Sequence, residues 1–182
     1  MDGSIKTMFR LNFFFALILL LSACSPKFDW REVRQEENRF QVLMPGKAAN
    51  LKRDISLDGI KTTMHMTASE VEDISFLVAY VHLPTDQNDI ENSKKQQAIA
   101  LNAMKMGMLK NIQGEWISGT NAAKPNNTEL AIGNSTSGKK LKMLARFEQR
   151  GEYVIQVIML GNEKSFTQDA AEMFFDSYKW NP

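Results

Sequence analysis

This sequence is short of the residues on which most enzymes and metal sites depend. It has one cysteine and two histidines in 182 residues. A single cysteine excludes an internal disulfide, and an unmodified thiol would be a liability in an exported chain. The chain also lacks a G-x-S-x-G turn and an H-E-x-x-H pair, which are signatures of serine hydrolases and zinc proteases. The residues therefore predict no catalytic constellation and no cofactor.

The chain has no excess of charge of either sign. It carries 22 basic and 21 acidic side chains, for a formal net charge of +1. Domains that bind nucleic acid need a strongly basic surface to neutralise phosphates. The composition therefore predicts no nucleic-acid partner.

The longest apolar run lies at the start of the chain. Lys6 and Arg10 precede an apolar core, Phe13–Leu21, and two small residues, Ser22 and Ala23, follow that core. A basic start, an apolar core and small residues before a cleavage site are typical of a secretory signal peptide. A membrane-spanning helix is the alternative, but a span needs about 20 apolar residues, and this run is shorter. We therefore expect residues 1–23 to be a signal peptide.

The segment Leu21-Ser22-Ala23-Cys24 resembles the lipobox of bacterial lipoproteins. The resemblance implies that Cys24 becomes the first residue of the mature protein and carries the lipid, palmitate included. Ser25 stands where Asp would retain a lipoprotein in the inner membrane, which implies the outer membrane with the domain facing the periplasm. Burial of several acyl chains, at about 0.8 kcal/mol per methylene, gives a lasting anchor. We expect residues 24–29 to be a lipidated tether and the membrane to be a partner.

The remaining chain has the size and charge of one balanced domain. Removal of residues 1–23 takes away Asp2, Lys6 and Arg10, which leaves 20 basic and 20 acidic side chains. About 160 residues suffice for one hydrophobic core but not for two ordinary domains. We expect residues 30–182 to form a single domain.

Two hydrophobic periodicities alternate along this domain. Ala98, Leu101, Met104, Met108 and Ile112 recur at helical spacing and predict an amphipathic helix over residues 86–113. Period-two segments bounded by turn residues predict strands, and they cover residues 40–44, 49–57, 60–71, 74–83, 129–134, 140–149 and 152–160.

The end of the chain predicts a second helix. Ser165 and Gln168 match a capping box, in which each side chain satisfies the other's free amide. Because most predicted connections are hairpins, we expect an α+β fold. It would consist of a mainly antiparallel sheet of about six to seven strands, with the long central helix and the C-terminal helix packed on it.

Two segments resemble PsbP-like domains. Phe40–Lys47, which reads FQVLMPGK, is similar to their opening strand and turn, and Phe174–Tyr178 is similar to their closing segment. The resemblance implies an α/β/α sandwich and an accessory or assembly role. It implies no shared active site, and within that group the chain resembles uncharacterised bacterial lipoproteins.

One motif suggests phosphate binding. Gly133–Lys139 matches most of a P-loop, but Lys140 stands where Ser or Thr would hold magnesium. The residues that follow alternate as in a strand, so the helix that should receive the phosphate is missing. We predict a hairpin loop.

Two further alternatives concern the histidines and methionines. Met64, His65 and Met66, together with the methionines at 104, 106 and 108, offer the soft ligands that copper(I) prefers. His65 and His82 are the only imidazoles, and an enzyme of unrecognised type would depend on them. Strand alternation places His65 on the opposite face from Met64 and Met66, so the sequence favours neither site.

The function predicted from the sequence is that of a lipid-anchored periplasmic accessory or binding lipoprotein that is not catalytic. It would hold an envelope protein, a peptide or another envelope component. Two surfaces are open to this role: a face of the sheet, and the groove beside the long helix and the loop Gly119–Thr128.

Overall fold

A computed structural model describes residues 27–34, 39–118 and 124–181, which form an α+β sandwich. The predicted leader, Cys24 and the start of the tether lie outside the described residues. The first half of the predicted loop Gly119–Thr128 also lies outside them.

The described residues form ten strands and two α-helices. The strands are β1 (Trp30–Arg34), β2 (Phe40–Pro45), β3 (Ala49–Leu57), β4 (Ile60–Val71), β5 (Ile74–His82), β6 (Glu115–Ile117), β7 (Glu129–Asn134), β8 (Lys140–Arg150), β9 (Tyr153–Asn162) and β10 (Lys179–Trp180). The helices are α1 (Ile90–Asn111) and α2 (Gln168–Ser177), and a short 3₁₀ turn covers Glu163–Ser165.

Seven strands make the main sheet, in the spatial order β3-β4-β5-β9-β8-β7-β6. Every neighbouring pair is antiparallel. Three strands, in the order β1-β2-β10, make a smaller sheet. The predicted α+β class and the mainly antiparallel sheet are confirmed, because seven strands form the main sheet and both helices are present.

The main sheet is covered on both faces. One face packs under the smaller sheet and α2, where Phe40, Phe76, Phe174 and Phe175 are at most 1% exposed. The other face packs under α1, where Met104 joins Val81 and Val154. Burial of an apolar side chain of this size stabilises a fold by about 1.5–3 kcal/mol, so these two layers hold the sandwich together.

The β3–β4 hairpin follows directly from its turn residues. Asp58 has φ 48° and Gly59 has φ 91°, the two positive values that a tight hairpin turn requires. Aspartate and glycine tolerate this region better than other residues do. An Asp-Gly pair between two period-two segments predicts such a hairpin, and the structure confirms it.

The buried stripe of α1 differs from the predicted one. Met104 and Ile112 are buried as predicted, but Ala98 is exposed, and the helix also buries Ser93, Gln97 and Ala100. The polar residues face inward because they meet polar groups at the end of the sheet. Gln97 Nε2 donates to the Leu83 carbonyl at 3.0 Å, and its Oε1 accepts a bond from Gln149 at 2.6 Å. A stripe counted from apolar residues alone misses this arrangement.

The capping box predicted at Ser165 and Gln168 is wrong. The N-cap of α2 is Thr167, whose hydroxyl accepts a hydrogen bond from the Ala170 amide at 3.3 Å. Gln168 is the first helical residue, and its side-chain amide donates to the Glu172 carboxylate instead of capping the helix. The physical reason is that the 3₁₀ turn occupies Ser165 and moves the start of the helix two residues on.

The alternating sequence of β4 predicts one buried and one solvated face, and this prediction is wrong. Thr67 and Ser69, on the predicted wet face, are 3% and 6% exposed, because the smaller sheet covers that side. Met64 and Met66, on the predicted buried face, are only partly buried.

Candidate functional site

A cavity of about 890 Å³ opens where the β8–β9 hairpin faces β10. Cavities of this size accommodate small organic molecules. The lining residues are Asn127, Arg146, Glu148, Arg150, Gly151, Glu152, Tyr153, Tyr178, Lys179, Trp180 and Asn181. The cavity lies on the face of the main sheet that carries the smaller sheet. Of the two predicted surfaces, it therefore occupies a sheet face, and Asn127 is the contribution of the loop.

Strand periodicity supplies the charged wall of this cavity. Arg146, Glu148 and Arg150 alternate along β8, so all three side chains point to one face. Leu144 belongs to the same alternation and packs into the core under α2, which identifies that face.

The aromatic wall comes from β9 and the end of the chain. Residue pairing of β10 with β2 places Trp180 opposite Phe40. The Trp180 ring then packs against Tyr153 at 5.2 Å and against Tyr80 at 5.5 Å between ring centroids. The Arg39 guanidinium lies 4.9 Å from the centre of the Tyr153 ring. These contacts give the cavity a rigid wall on which a flat group can stack.

Both carboxylates of the cavity already have partners. Glu148 accepts a bond from Arg150 Nε at 2.9 Å. Glu152 accepts one from the Thr85 amide at 2.7 Å, and its second oxygen lies 3.0 Å from His82 Nε2. The hydrogen bond from the Thr85 amide and, to a smaller extent, the bond with His82 lower the pKa of Glu152 below its ordinary value. Glu152 therefore joins the β5–α1 connection to the β8–β9 hairpin.

Two cations of the cavity are not paired with a carboxylate. Arg146 donates to the carbonyls of Phe175 at 3.2 Å and Asn126 at 2.8 Å. Within the described part of the chain, neither Arg146 nor Lys179 forms a salt bridge. An acidic or strongly polar group of a ligand would meet favourable charge here.

Tyr178 supplies a buried hydroxyl at the same place. Its side chain is 8% exposed, and its hydroxyl has no hydrogen-bond partner among residues 27–34, 39–118 and 124–181. Burial, aided by the charge of Glu148, raises the pKa of Tyr178 well above its usual value. The hydroxyl therefore keeps its proton at neutral pH.

The two histidines come together on one face of the sheet. His65 stacks on Tyr80 with ring centroids 4.9 Å apart, and His82 stacks on Tyr153 at 4.7 Å. His65 is half-buried and His82 is exposed. Only His82 reaches the cavity, through Glu152. The sequence does not reveal this arrangement because the two tyrosines lie on different strands.

The methionines do not converge with a histidine. Register with β5 puts His65 opposite Tyr80 on one face, and Met64 opposite Val81 on the other. Met104 lies on the inner face of α1 and is buried, whereas Met106 is 52% exposed on the outer face of the same helix. The described residues contain no group of three or more His, Cys, Asp or Glu side chains placed to hold a metal ion.

The P-loop-like segment forms a hairpin, as predicted. The Ser135 amide donates to the Lys139 carbonyl at 2.8 Å, and the Gly138 amide donates to the Ser135 carbonyl at 2.9 Å. The strand β8 follows it directly, so no helix N-terminus faces the loop.

Two tryptophans away from the cavity are packed against other rings. Trp30, at the start of the domain, contacts Phe76 at 5.8 Å between ring centroids. Trp116 lies edge-on to Phe147 at 5.9 Å, with the Lys105 ammonium over its ring.

Comparison with known proteins provides no family. No family model matches the sequence, no curated protein matches it significantly, and no solved structure does so either. In the described part of the chain, no helix is long and apolar enough to cross a membrane.

Proposed function

We propose that this chain is a lipid-anchored lipoprotein of the bacterial outer membrane, whose periplasmic domain binds a ligand without catalysing a reaction. The leader, the small residues before Cys24 and the lone cysteine support the anchor. The observation that carries the binding role is the cavity between the β8–β9 hairpin and β10. A kinship with PsbP-like accessory domains belongs to the same proposal, and the α+β sandwich is consistent with it.

The chemistry of the cavity supports binding rather than turnover. Glu148 is held by the Arg150 guanidinium and Glu152 by the Thr85 amide, and the His82 ring is fixed between Glu152 and Tyr153. Fixed groups of this kind recognise a ligand by stacking and hydrogen bonding. The unpaired Arg146 and Lys179 beside Trp180 favour a polar ring-containing molecule, or a peptide with an acidic and an aromatic side chain.

Site-specific photocrosslinking in living cells tests this function. The full-length protein carries p-benzoylphenylalanine at Asn181, on the cavity wall, or at Asn102, an exposed position on α1, as the matched control. We expect one defined adduct from position 181 and none from position 102. Absence of an adduct at position 181, or equal adducts at both positions, would remove the cavity as the binding site.

A further inference from the structure

The described chain enters the domain at one end of the main sheet. Lys27, the first described residue, lies 3.7 Å from Glu72 in the β4–β5 turn. Phe28 packs against Phe76, and the Asp29 carbonyl accepts a bond from the Gly46 amide at 2.8 Å. These contacts hold the start of the domain against that end. We call this end of the main sheet, with the β4–β5 turn and the β7–β8 hairpin, the anchor end.

The cavity lies at the opposite end. Strand β9 runs from Tyr153, in the cavity wall, to Asn162, whose amide bonds to Asp73 at the anchor end. Its ten residues rise by about 3.3 Å each, so the cavity lies roughly 30 Å from the anchor end.

Only two residues, Ser25 and Pro26, separate Lys27 from Cys24, so three Cα–Cα steps join them. A chain of this length reaches at most about 10 Å, even when fully extended. A lipid on Cys24 would therefore keep the anchor end close to the bilayer surface. The tether is too short to let the domain turn its cavity end to the membrane.

The β7–β8 hairpin suits contact with an anionic surface. Residues 135–140, which are the loop and the first residue of β8, contain two exposed lysines, Lys139 and Lys140, and no acidic side chain. Lys164, in the 3₁₀ turn, is exposed at the same end. Strand spacing of about 4.8 Å places this hairpin within roughly 15 Å of the β4–β5 turn.

The acidic groups at this end lie mostly elsewhere. One group surrounds the β4–β5 turn, and Lys27 offsets part of its charge. The exposed acidic residues of the anchor end are Asp29, Glu70, Glu72, Asp73, Glu115 and Glu163, and Glu115 lines a shallow groove together with Lys140. The hairpin loop is thus a basic stretch of the anchor end that has no acidic side chain of its own, and Lys27, Lys47 and Lys164 are further exposed lysines at this end.

We infer that the domain stands on the membrane through its anchor end, with Lys139 and Lys140 of the hairpin against anionic lipid headgroups and the cavity facing away. This inference rests on the lipid anchor of the proposed function. It gives the P-loop-like segment a role in membrane contact instead of nucleotide binding. Each lysine close to an anionic surface favours contact about fivefold, and salt weakens the effect.

Fluorescence quenching on vesicles tests this orientation. The full-length protein, labelled at Thr136→Cys in the hairpin or at Lys61→Cys near the cavity end, is placed in vesicles with spin-labelled headgroups. Acylated Cys24 has no free thiol, so the label reacts only at the new cysteine. We expect several-fold stronger quenching at position 136 than at position 61. Equal quenching, or stronger quenching at 61, would overturn the orientation.

A charge comparison tests the lipid contact itself. Vesicles contain either phosphatidylcholine alone or about 30% phosphatidylglycerol, an anionic lipid. We expect Lys139→Gln with Lys140→Gln to weaken the phosphatidylglycerol-dependent quenching at 136, while the matched pair Lys94→Gln with Lys95→Gln on α1 leaves it unchanged. Equal quenching at position 136 on vesicles with and without phosphatidylglycerol would contradict the contact with headgroup charge.

Mass spectrometry of the same preparation separates the two proposals. An acylated Cys24 with equal quenching at both positions removes the orientation and leaves the lipoprotein intact. A free Cys24 thiol removes the anchor, and the orientation fails with it.

Discussion

At the scale of single residues, two glycines set the distance between the end of α1 and the sheet. A Cβ on Gly133 would lie 2.2 Å from the Ile112 carbonyl oxygen, and one on Gly114 would lie 2.4 Å from the Ile132 carbonyl oxygen. The Asn134 amide donates to the Ile112 carbonyl at 2.6 Å across this contact. In the sequence, Gly133 looks like the first residue of a phosphate loop. Its role in the fold is the close approach of two backbones.

Replacement of this glycine should destabilise the protein. We expect Gly133→Ala to lower the free energy of unfolding by about 2–3 kcal/mol or more, because the backbones cannot separate without breaking the hydrogen bond between them. The matched control is Gly107→Ala on α1, where a Cβ meets nothing within 4 Å. Alanine there should stabilise the helix by up to about 1 kcal/mol. Urea unfolding of the purified proteins measures both changes, and equal midpoints for the two variants would refute the close-contact role.

At the scale of elements, the sequence predicts regular segments well and their terminal contacts poorly. The strands at 49–57, 60–71 and 129–134 match their predicted ranges, because alternation and turn residues are local properties. The start of α2 and the inward face of α1 depend on partners far along the chain. Gln97 faces inward only because Leu83 and Gln149 meet it there. No local pattern contains that information.

The cap of α2 gives a test of the observed helix start. We expect Thr167→Ala to lower the free energy of unfolding by about 1 kcal/mol, since the Ala170 amide loses its acceptor. Ser165→Ala, at the originally predicted cap, should change it by less than about 0.5 kcal/mol. Thermal unfolding of both variants measures the difference. A larger effect from Ser165→Ala would favour the predicted capping box over the observed one.

The Glu152 contact ties one connection to one hairpin and should respond to acid. Its pKa lies below the ordinary 4.5 in the folded state, because the Thr85 amide and His82 favour the charged form. The resulting stabilisation is complete above the unfolded-state pKa and is lost as the pH falls through the lower folded value. We expect wild type to lose more stability than Glu152→Gln between about pH 5 and pH 3. Urea unfolding across this range measures the free energy of unfolding of both proteins. An equal loss in wild type and Glu152→Gln would exclude a contribution of Glu152 to the acid response.

At the scale of the whole molecule, the start of the described chain and the cavity lie at opposite ends of the sandwich. One end holds the start of the chain through Lys27, Phe28 and Asp29, and the other end opens the cavity. The class of fold and the antiparallel sheet follow from the sequence. The smaller sheet does not, because β10 is only two residues long and pairs with a strand about 140 positions earlier.

The cavity cannot be predicted from the sequence for the same reason, because its lining residues come from distant segments of the chain. Local alternation indicates only that Arg146, Glu148 and Arg150 share one face of β8. Only the fold brings Tyr178 and Trp180 opposite them. The lone cysteine, in contrast, needs no fold to be interpreted, since cleavage and acylation act on a linear segment.

Intact mass spectrometry of the protein extracted from its native membrane tests the central claim most directly. The account predicts a chain that begins at Cys24, with its mass increased by a diacylglyceryl group and one further acyl chain. A chain that still carries residues 1–23, or a Cys24 with an unmodified thiol, would contradict it.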